Sequence, residues 1–477
     1  MKRARLVAGA LALALGLAAC AGGGGRRVDV NAMLRRDGAT GTTLAGGDAT
    51  PPGGDEPPKT AATAASVAAT ESSSATTARS TRATAGRSAA TGDVVIGVRY
   101  ATGGGAVIGS LGIQGVSTGD QEGFAQAMVD HINATGGAAG HQLRIVWSPL
   151  RASDALANSA GADQETCSQW TEDNHVFAAV SPMYSTATLQ KCLAQRHVPF
   201  IEDNYNYWNG DDKAITPSYF VPAYPDQPRL MTFYVQSLLD DGWFGPHPKI
   251  GVGRSSNESR DRADAGLRKA LAAHGLAVAD TVSYTTPEQV AAGVLKFKAE
   301  DINRVFVIDG SGGIEAMLWM TDAEQQKFRP LYAVNSQTGP VLLANNVPAA
   351  QLHGARGVGW LPTVDVDAPA LSAADMECLD LMHRAGKETP DQTAMRFALA
   401  TCDVFRFFVE AYTRGHGTTA AALISGAESI GTAFVPTGSF AARIGPGRHD
   451  GTAQARKLAF DDGCRCFRYV SAPFDVG

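Results

Sequence analysis

Hydrophobic residues follow two alternating spacings along the chain from about residue 93 to its end. Short apolar runs bounded by glycine or polar residues are typical of buried strands, and the first is VVIGV at 94–98. Between such runs, apolar residues recur every three or four positions, as in helices with one buried face. Further strand-like runs lie at 141–150, 176–182, 198–204, 249–253, 305–309 and 330–335. The alternation predicts an α/β fold with parallel sheets built from right-handed βαβ units.

The clearest helical pattern lies between Gly119 and Gly137. Phe124, Met128 and Ile132 recur every four residues and should form its buried stripe. The polar positions expected to face solvent are Gln126, Asp130 and Asn133.

The ends of this helix also carry sequence signals. Thr118 and Gln121 have the spacing of a capping box, which places the start of the helix near them. Asp120 and Glu122 bring negative charge to the first turn, and Gly136 follows the last turn. We therefore expect a complete helix directly after a glycine-rich loop.

The N-terminus has the pattern of an export signal. Lys2, Arg3 and Arg5 precede a short apolar run that is too short to cross a bilayer. The run ends in LAAC, which resembles the lipobox of bacterial lipoproteins and implies cleavage before Cys20 and acylation of its thiol. The alternative is an ordinary signal peptide with a cysteine at that position. We expect an extracytoplasmic protein anchored to the membrane by lipid, with no membrane span in the mature chain.

The predicted lipidated cysteine and a tether together occupy residues 20–92. Alanine, glycine, serine, threonine and proline dominate this segment, and large apolar side chains are few. Such a composition buries too little surface to offset the conformational entropy of folding. The remaining residues, about 385 of them, are too many for one core and predict two domains.

Charge and cysteine content narrow the possible partners. The net charge is −6 and no basic stripe occurs, so we expect no nucleic-acid partner. Apart from Cys20 the chain has six cysteines, an even number that suits an oxidising compartment. The favoured pairings are Cys167 with Cys192, and Cys378 with Cys402.

Cys464 and Cys466 remain, in a strand-like pattern that places alternate residues on one face. They either form a tight bridge or stay reduced. Neither a CxxC pair nor a cluster of histidines accompanies them, so no metal site is expected.

The ordered series of units resembles a known family. The run VVIGV, the helix GDQEGFAQAMVDHINATGG, the segment VSPMYSTATLQKCLAQRHVPFI and the later KIGVGRSSNESRDRADAGLRKALAAHGLAV together resemble type I periplasmic binding proteins. The nearest group is the branched-chain amino-acid or amide-binding family of ABC transporters. The resemblance extends from Asp93 to Val470. It implies two doubly wound parallel-sheet lobes that close like a Venus flytrap and are joined by a three-strand hinge.

The resemblance also supplies domain boundaries. Residues 1–19 would be the signal peptide. The N-terminal lobe would take residues 93–224 and 366–431, and the C-terminal lobe residues 225–365 and 432–477. The segments VPAYPDQP and LPTVDVDAP suit two of the three crossings, because proline restricts a short joint.

In open parallel sheets, ligands bind beyond the carboxyl ends of the strands. The loops that follow the predicted strands supply these candidate ligand-binding residues: Ser117, Ser181, Tyr184, Ser185, Thr186, Asp203, Asn204, Tyr205, Glu258, Asp309, Gly310, Ser311, Asn335 and Gln337.

The loop 181–186 precedes a helix and suits an anion such as a carboxylate, which it holds in the resembling family. Helix capping by Ser185 or Thr186 is the alternative. Asp309 could accept a ligand amine or serve as a turn former before Gly310, and Glu258 could instead pair with Arg260 and Arg262 at the surface. We expect Asp309→Ala to weaken ligand binding and leave folding intact.

One segment departs from the resembling family. Its members usually carry small residues with serine or threonine at the end of the fourth strand, whereas this chain has the acidic and bulky EDNYNYW. This departure puts a direct transfer of amino-acid specificity in doubt.

These observations predict a solute-binding protein of an ABC importer. It would bind a small polar ligand, such as an amino acid or amide, by closure of two lobes, and deliver it to a membrane permease. We expect a monomer with no cofactor and no enzymatic activity. The alternatives are a ligand-sensing receptor of the same fold and, less favoured, a hydrolase.

Overall fold

The computed structural model describes residues 92–103, 117–183, 185–203 and 210–477. The predictions for Cys20, the tether, Tyr184, Asn204 and Tyr205 therefore lie outside the described residues and stay predictions. Within the described ranges, no helix is long and apolar enough to cross a membrane.

The first part of the described chain forms a five-stranded sheet. Its strands are β1 (Val94–Thr102), β2 (Leu143–Arg151), β3 (Ala178–Ser181), β4 (Phe200–Glu202) and β5 (Tyr219–Phe220). They lie in the order β2-β1-β3-β4-β5, and every pairing is parallel. The helices between them are α1 (Gln121–Ala134), α2 (Ala152–Ser168), which continues as a π-helical turn over Gln169–Asp173, and α3 (Ala187–Gln195).

The buried stripe predicted for α1 is confirmed, since Phe124, Met128 and Ile132 are all buried. The predicted capping box is wrong. Asp120 caps α1 instead, and its carboxylate accepts the Gly123 N–H at 2.9 Å. An aspartate next to the first turn combines a short hydrogen-bond acceptor with a negative charge at the positive end of the helix.

Asn133 does not simply face solvent, as the helical pattern predicted. Its side-chain amide exchanges two hydrogen bonds with the backbone of Leu143, accepting from N–H at 2.7 Å and donating to C=O at 3.0 Å. Asn133 thus joins the end of α1 to the start of β2. Gln126 and Asp130 are exposed, as predicted.

A group of helices late in the chain packs against this first sheet. They are α11 (Ala373–Arg384), α12 (Gln392–Gly415) and α13 (Ala420–Glu428). Phe397, Phe405 and Phe408 of α12 share one apolar cluster with Phe124 of α1 and Ile96 of β1. The chain therefore leaves the first sheet, builds the second, and returns.

The second sheet has eight strands. They are β6 (Ile250–Ser255), β7 (Val278–Tyr284), β8 (Arg304–Ile308), β9 (Leu331–Asn335), β10 (Arg356–Gly359), β11 (Gln454–Asp461), β12 (Cys466–Tyr469) and β13 (Phe474–Asp475). The associated helices are α4 (Gln227–Asp240), α5 (Glu258–Ala272), α6 (Pro287–Ala299), α7 (Ile314–Gln325), α8 (Pro340–Asn346), α9 (Ala349–Leu352) and α10 (Pro362–Asp365).

The strand order of the second sheet is β12-β11-β10-β9-β8-β6-β7, with β13 paired to β11. The five strands from β6 to β10 are parallel to one another. The closing strands differ from the predicted parallel pattern, since β11 is antiparallel to β10, β12 and β13. A hairpin such as β11–β12 needs only a tight turn, whereas a parallel neighbour needs a long crossover. The two-sheet α/β architecture confirms the predicted fold class.

Three segments carry the chain between the two sheets. They follow β5, α10 and α13, at 221–226, 366–372 and 429–453. The first and third run side by side, because the Val221 N–H donates to the His449 carbonyl at 2.9 Å and Gly451 N–H donates to the Val221 carbonyl at 2.8 Å. The Thr452 hydroxyl adds a bond to the Ala223 carbonyl at 2.9 Å. The residue boundaries predicted for the lobes stay a prediction.

One apolar cluster extends through these crossing segments. It includes Trp170 and Leu189 beside the first sheet, Val221 in the crossing, and Leu230 and Val252 in the second sheet. All five side chains are buried. The two sheets therefore share a continuous core on this side of the molecule.

Three disulfides occur in the described part of the chain. The predicted pairs Cys167–Cys192 and Cys378–Cys402 are confirmed, the first linking α2 to α3 and the second linking α11 to α12. Cys464 and Cys466 also form a bridge, which decides between the two alternatives left open by the sequence.

Candidate functional site

Polar residues are buried where the parallel strands end. The fully or almost fully buried examples are Ser181, Glu202, Asp203, Asp309 and Asn335. A buried polar group costs free energy unless a hydrogen bond satisfies it. The partners of these side chains therefore decide which groups support the fold and which are available to a ligand.

The loop after β3 is held by its own hydrogen bonds. The Ser181 hydroxyl donates to the Met183 carbonyl at 2.9 Å and accepts the Met183 N–H at 3.2 Å. The Thr186 N–H donates to the Asp163 carboxylate at 3.0 Å, and the Thr186 hydroxyl contacts the same oxygen. Asp163 also pairs with buried Arg99. A carboxylate of the protein thus already lies at the start of α3, the place predicted for an anion.

Ser185 differs from its neighbours in this loop. It is 3% exposed, and its hydroxyl has no hydrogen-bond partner within the described residues. A buried hydroxyl without a partner is costly, so such groups call for a functional explanation. Ser185 is one of the residues predicted to contact ligand.

Asp203, which follows β4, is part of a buried ionic group. Arg396 of α12 donates from Nη2 to both of its carboxylate oxygens at 2.8 and 2.6 Å, and to the Tyr224 hydroxyl at 2.7 Å. Burial raises the pKa of Asp203, and the Arg396 charge opposes that rise. Burial also raises the pKa of Tyr224. The group joins β4, the first crossing and α12 at one point.

The adjacent Glu202 faces another set of partners. Its carboxylate accepts a hydrogen bond from the Tyr219 hydroxyl and one from Gln190 Nε2 at 3.4 Å. Gln190 Nε2 also donates to the Tyr219 oxygen at 3.2 Å. Two consecutive acidic residues at the end of β4 are thereby held in different networks.

Asp309 is engaged by the loop that follows it and by the first turn of α7. Its carboxylate accepts from the Ser311 N–H at 2.7 Å, the Ser311 hydroxyl at 2.8 Å, the Gly313 N–H at 3.2 Å and the Ala316 N–H at 2.9 Å. Asp309 is fully buried, and burial raises its pKa. These contacts match the turn-former alternative. They also argue against the expectation that Asp309→Ala leaves folding intact.

A second buried ionic group lies beside this loop. Arg260 Nη2 lies 3.4 Å from Glu315 Oε1, and the Ser255 hydroxyl donates to the same oxygen at 3.1 Å. Burial raises the pKa of Glu315 to about 7, although Arg260 opposes the rise. A Cβ at Gly310 would lie 2.1 Å from an Arg260 nitrogen, so glycine at 310 leaves room for the guanidinium. Gly310 acts here through its small size.

The end of β9 forms a tight cap. Asn335 Oδ1 accepts the N–H groups of Gln337 and Thr338 at 2.8 and 3.3 Å, and the Thr338 hydroxyl accepts the Asn335 N–H at 3.0 Å. Gln337 is 3% exposed. The adjacent Ser336 donates to buried Asp365 at 3.1 Å, and burial raises the pKa of Asp365 to about 7.

Ion pairs connect the two sheets at the ends of their strands. Arg262 of α5 pairs with Asp212, which follows β4, at 2.9 Å, and with Glu258 at 2.6 Å. Glu258 lies 3.5 Å from Lys191 of α3. Glu258 is the first residue of the helix after β6, so these contacts bring the carboxyl edges of both sheets close together. The surface pairing considered for Glu258 is thus present with Arg262. The pairing considered with Arg260 is wrong, because Arg260 is buried beside Glu315.

Ser117 lies at the centre of the spacing Gly-x-Ser-x-Gly, at residues 115–119, which also occurs around hydrolase nucleophiles. Its N–H donates to Asp391 Oδ2 at 2.6 Å, and its hydroxyl accepts the Gly119 N–H at 3.1 Å. A hydrolase serine needs a histidine beside its hydroxyl, and the hydrogen bonds of Ser117 to the described residues involve no histidine. The described ranges also contain no group of three or more histidine, cysteine or acidic residues that could hold a metal ion.

Arg396 and Arg260 organise the two buried ionic groups. Sequence reasoning missed Arg396 and took Arg260 for a surface residue. Arg396 had a signal. Arg396 is a single arginine among Ala394, Phe397 and Ala398 in an apolar helix, where a charge requires a partner. Which carboxylate it meets depends on a contact 193 residues away in sequence, which periodicity does not reveal.

Comparison with known proteins agrees with this architecture. Residues 105–457 match the family model described as periplasmic binding protein. None of the curated proteins is similar enough in sequence to match this chain.

Solved structures share the fold at low sequence identity. An extracellular ligand-binding receptor from Verminephrobacter eiseniae is 16% identical, with a TM-score of 0.58, over 79% of this chain and 100% of its own. An ABC transporter substrate-binding protein from Desulfitobacterium hafniense, in complex with Leu, is 13% identical with a TM-score of 0.55, over 79% and 100%. A solute-binding protein from Rhodopseudomonas palustris, in complex with 3,4-dihydroxybenzoic acid, is 14% identical with a TM-score of 0.57, over 80% and 98%. From its matched residues and its two-sheet architecture, the chain belongs to the periplasmic binding protein family, as a type I member.

Proposed function

We propose that this protein is the solute-binding component of an ABC importer. It works outside the cytoplasm, is held at the membrane through lipid on Cys20, and passes its ligand to a permease. The observation that carries the proposal is the meeting of the two carboxyl edges, where Arg262 of one sheet pairs with Asp212 of the other. Ligands of open parallel sheets bind at such edges.

The ligand that fits best is a small organic acid or amino acid. The Desulfitobacterium relative is bound to Leu and the Rhodopseudomonas relative to 3,4-dihydroxybenzoic acid, and both compounds carry a carboxyl group. In this chain the Ser185 hydroxyl is a donor at the strand ends, whereas the Thr186 N–H and hydroxyl are already engaged by Asp163. We therefore assign the ligand carboxylate to Ser185, close to the start of α3.

Binding proceeds by closure of one lobe on the other. The ligand first contacts one carboxyl edge, and the closed state gains contacts to the second edge that the open state lacks. That difference in contacts shifts the equilibrium toward closure. The ligand leaves chemically unchanged.

The substitution Ser185→Ala tests this assignment. Small molecules that co-purify with the secreted protein are identified by mass spectrometry, and Leu, 3,4-dihydroxybenzoate and each identified compound are titrated calorimetrically. We expect Ser185→Ala to raise the Kd of the bound compound about tenfold, because a hydrogen bond to a charged group contributes roughly 1.5 kcal/mol. The Tm should stay within about 2 °C, because the hydroxyl has no partner in the described fold.

Ser237→Ala is the matched control. Ser237 lies in α4, is 3% exposed like Ser185, and its hydroxyl also lacks a partner among the described residues. It should leave both Kd and Tm unchanged. Equal Kd values for wild type and Ser185→Ala would remove Ser185 from the site. Conversion of a titrated compound into a product would contradict the binding role itself.

A further inference from the structure

The hairpin between β11 and β12 carries a disulfide that differs from the other two. Cys464 and Cys466 are bridged across a single residue, and Cys464 is exposed to solvent. In contrast, Cys167, Cys378 and Cys402 are at most 4% exposed. A thiolate from solution can therefore reach the Cys464 sulfur directly.

The hairpin is held together by contacts that do not involve the bridge. Four residue pairs join β11 to β12, and the Phe460 and Phe467 rings pack with centroids 5.3 Å apart. The Asp461 carboxylate accepts the Gly463 N–H at 2.8 Å and pairs with Arg468 at 2.9 Å. The two strands can thus stay paired when the disulfide opens.

The length of the closed loop sets how much a bridge stabilises the fold. Bridges that close long loops remove more entropy from the unfolded chain. The partners are 25 and 24 residues apart in the buried pairs but only 2 apart in Cys464–Cys466. Loop length alone therefore makes the short bridge the smallest contributor to the stability of the fold, so that its opening costs the fold little.

Backbone conformation acts in the same direction. Arg465, between the two cysteines, has a φ of 56°, which is unfavourable for a residue with a Cβ. Opening of the bridge frees Arg465 to leave this conformation. Exposed disulfides in such settings are the labile ones.

We propose that Cys464–Cys466 is a redox-active disulfide that exchanges with thiols outside the cytoplasm. A thiolate attacks Cys464 Sγ, the S–S bond breaks, and its electron pair leaves on Cys466. A second thiol attacks the mixed disulfide and releases Cys464. The reductant ends as a disulfide, the protein gains two thiols, and two electrons are transferred. This activity is separate from ligand binding.

Glutathione redox buffers test the proposal on the secreted chain. After equilibration, free thiols are trapped by alkylation and each cysteine is quantified by peptide mass spectrometry. We expect Cys464 and Cys466 to be half reduced in a buffer that leaves Cys167–Cys192 and Cys378–Cys402 oxidised. A midpoint equal to or more reducing than those of the buried bridges would overturn the proposal.

Serine variants separate a redox role from a structural one. In Cys466→Ser, the remaining Cys464 should form a mixed disulfide with oxidised glutathione within minutes, and its absence would contradict the proposed attack on Cys464. The double variant Cys464→Ser/Cys466→Ser should keep the Tm and the ligand Kd of the wild type. A large fall in Tm would show that the bridge supports the fold and would overturn the proposal.

Discussion

Whether a buried polar side chain can bind a ligand depends on whether the fold already uses its hydrogen-bonding groups, and Asp309 is an example. Ser311, Gly313 and Ala316 take both of its oxygens, so the residue works as the anchor of the loop that starts α7. Ser185, on the other sheet, keeps its hydroxyl uncommitted within the described part of the fold. Asp309 and Ser185 both follow a parallel strand, yet they have different roles.

Asp309→Ala should reduce the free energy of unfolding by about 3 kcal/mol, because it leaves several buried donors without an acceptor. Asp309→Asn is the control. It retains one acceptor oxygen and should cost less than half as much. Urea unfolding of both variants measures the difference. An alanine variant as stable as wild type would show that water replaces the carboxylate.

Asp403 should make stability depend on pH. It is 1% exposed, its Oδ1 accepts the Thr437 N–H at 2.5 Å, and burial raises its pKa to about 8. The unfolded chain loses this proton near pH 4 and the folded chain near pH 8. Stability should therefore fall between these values as pH rises, by about 1.4 kcal/mol per unit from this group.

Asp403→Asn should flatten that slope, as measured by urea unfolding at intervals from pH 5 to pH 8. Asn keeps an oxygen for Thr437 and removes the titration. Asp365 and Glu315 have raised pKa values and add slopes of the same sign, which the variant leaves in place. Identical slopes for variant and wild type would mean that Asp403 is already ionised at pH 5.

Among single residues, the sequence was informative where chemistry is local. The pairings Cys167–Cys192 and Cys378–Cys402 followed from helices or loops that are neighbours along the chain, and the turn-former alternative for Asp309 followed from the adjacent Gly310. The structure contains all three. The sequence did not predict the pairing of Arg396 with Asp203. That pairing depends on how α12 packs against the first sheet after the chain has built most of the second sheet.

At the scale of elements, the spacing of hydrophobic residues predicted which helices and strands exist better than it predicted where they begin and end. The stripe of α1 is as predicted, yet its cap is Asp120. Threonine and aspartate both cap helices, and the capping-box spacing favoured Thr118 because Gln121 lies three residues after it. Alternation also predicted the parallel strands correctly. It missed the antiparallel closing strands, because the direction of a strand is set by the path of the connection and not by its own residues.

The crossing formed by 221–226 and 449–452 depends on a close backbone approach. A Cβ at Gly451 would lie 1.7 Å from the Pro222 carbonyl oxygen. Gly451→Ala should therefore separate the two segments and lower the free energy of unfolding by more than about 2 kcal/mol. Gly445→Ala is the control, since its nearest contact would be 3.9 Å away at the Glu428 carbonyl. Thermal unfolding compares them, and equal Tm values would refute a tight crossing.

At the scale of the whole molecule, the ion pairs across the strand ends should affect closure. The side chains of Lys191 and Glu258 are 37% and 56% exposed, so each contact is weak, of about 0.2–1 kcal/mol. Weak contacts made only in the closed state can adjust affinity without locking the cleft.

Arg262→Ala should weaken ligand binding about two- to fivefold, because it removes the pair with Asp212 that joins the two sheets. The loss should shrink at high salt, since screening weakens the pair in the wild type. Arg268→Ala is the control, because Arg268 pairs with Asp264 of the same helix. Calorimetric titration at two salt concentrations measures both. A salt-independent loss would show that Arg262 acts through packing and not through the ion pair.

The apolar cluster that continues from Trp170 through Val221 to Leu230 has a further consequence. Because the halves share buried surface there, neither can melt while the other keeps all its contacts. Heat should therefore unfold both together in one cooperative transition. Substitutions within the shared cluster should lower the stability of the whole protein. Opening and closing motions must rotate the two sheets about this shared cluster, and their amplitude should be largest at the side farthest from it.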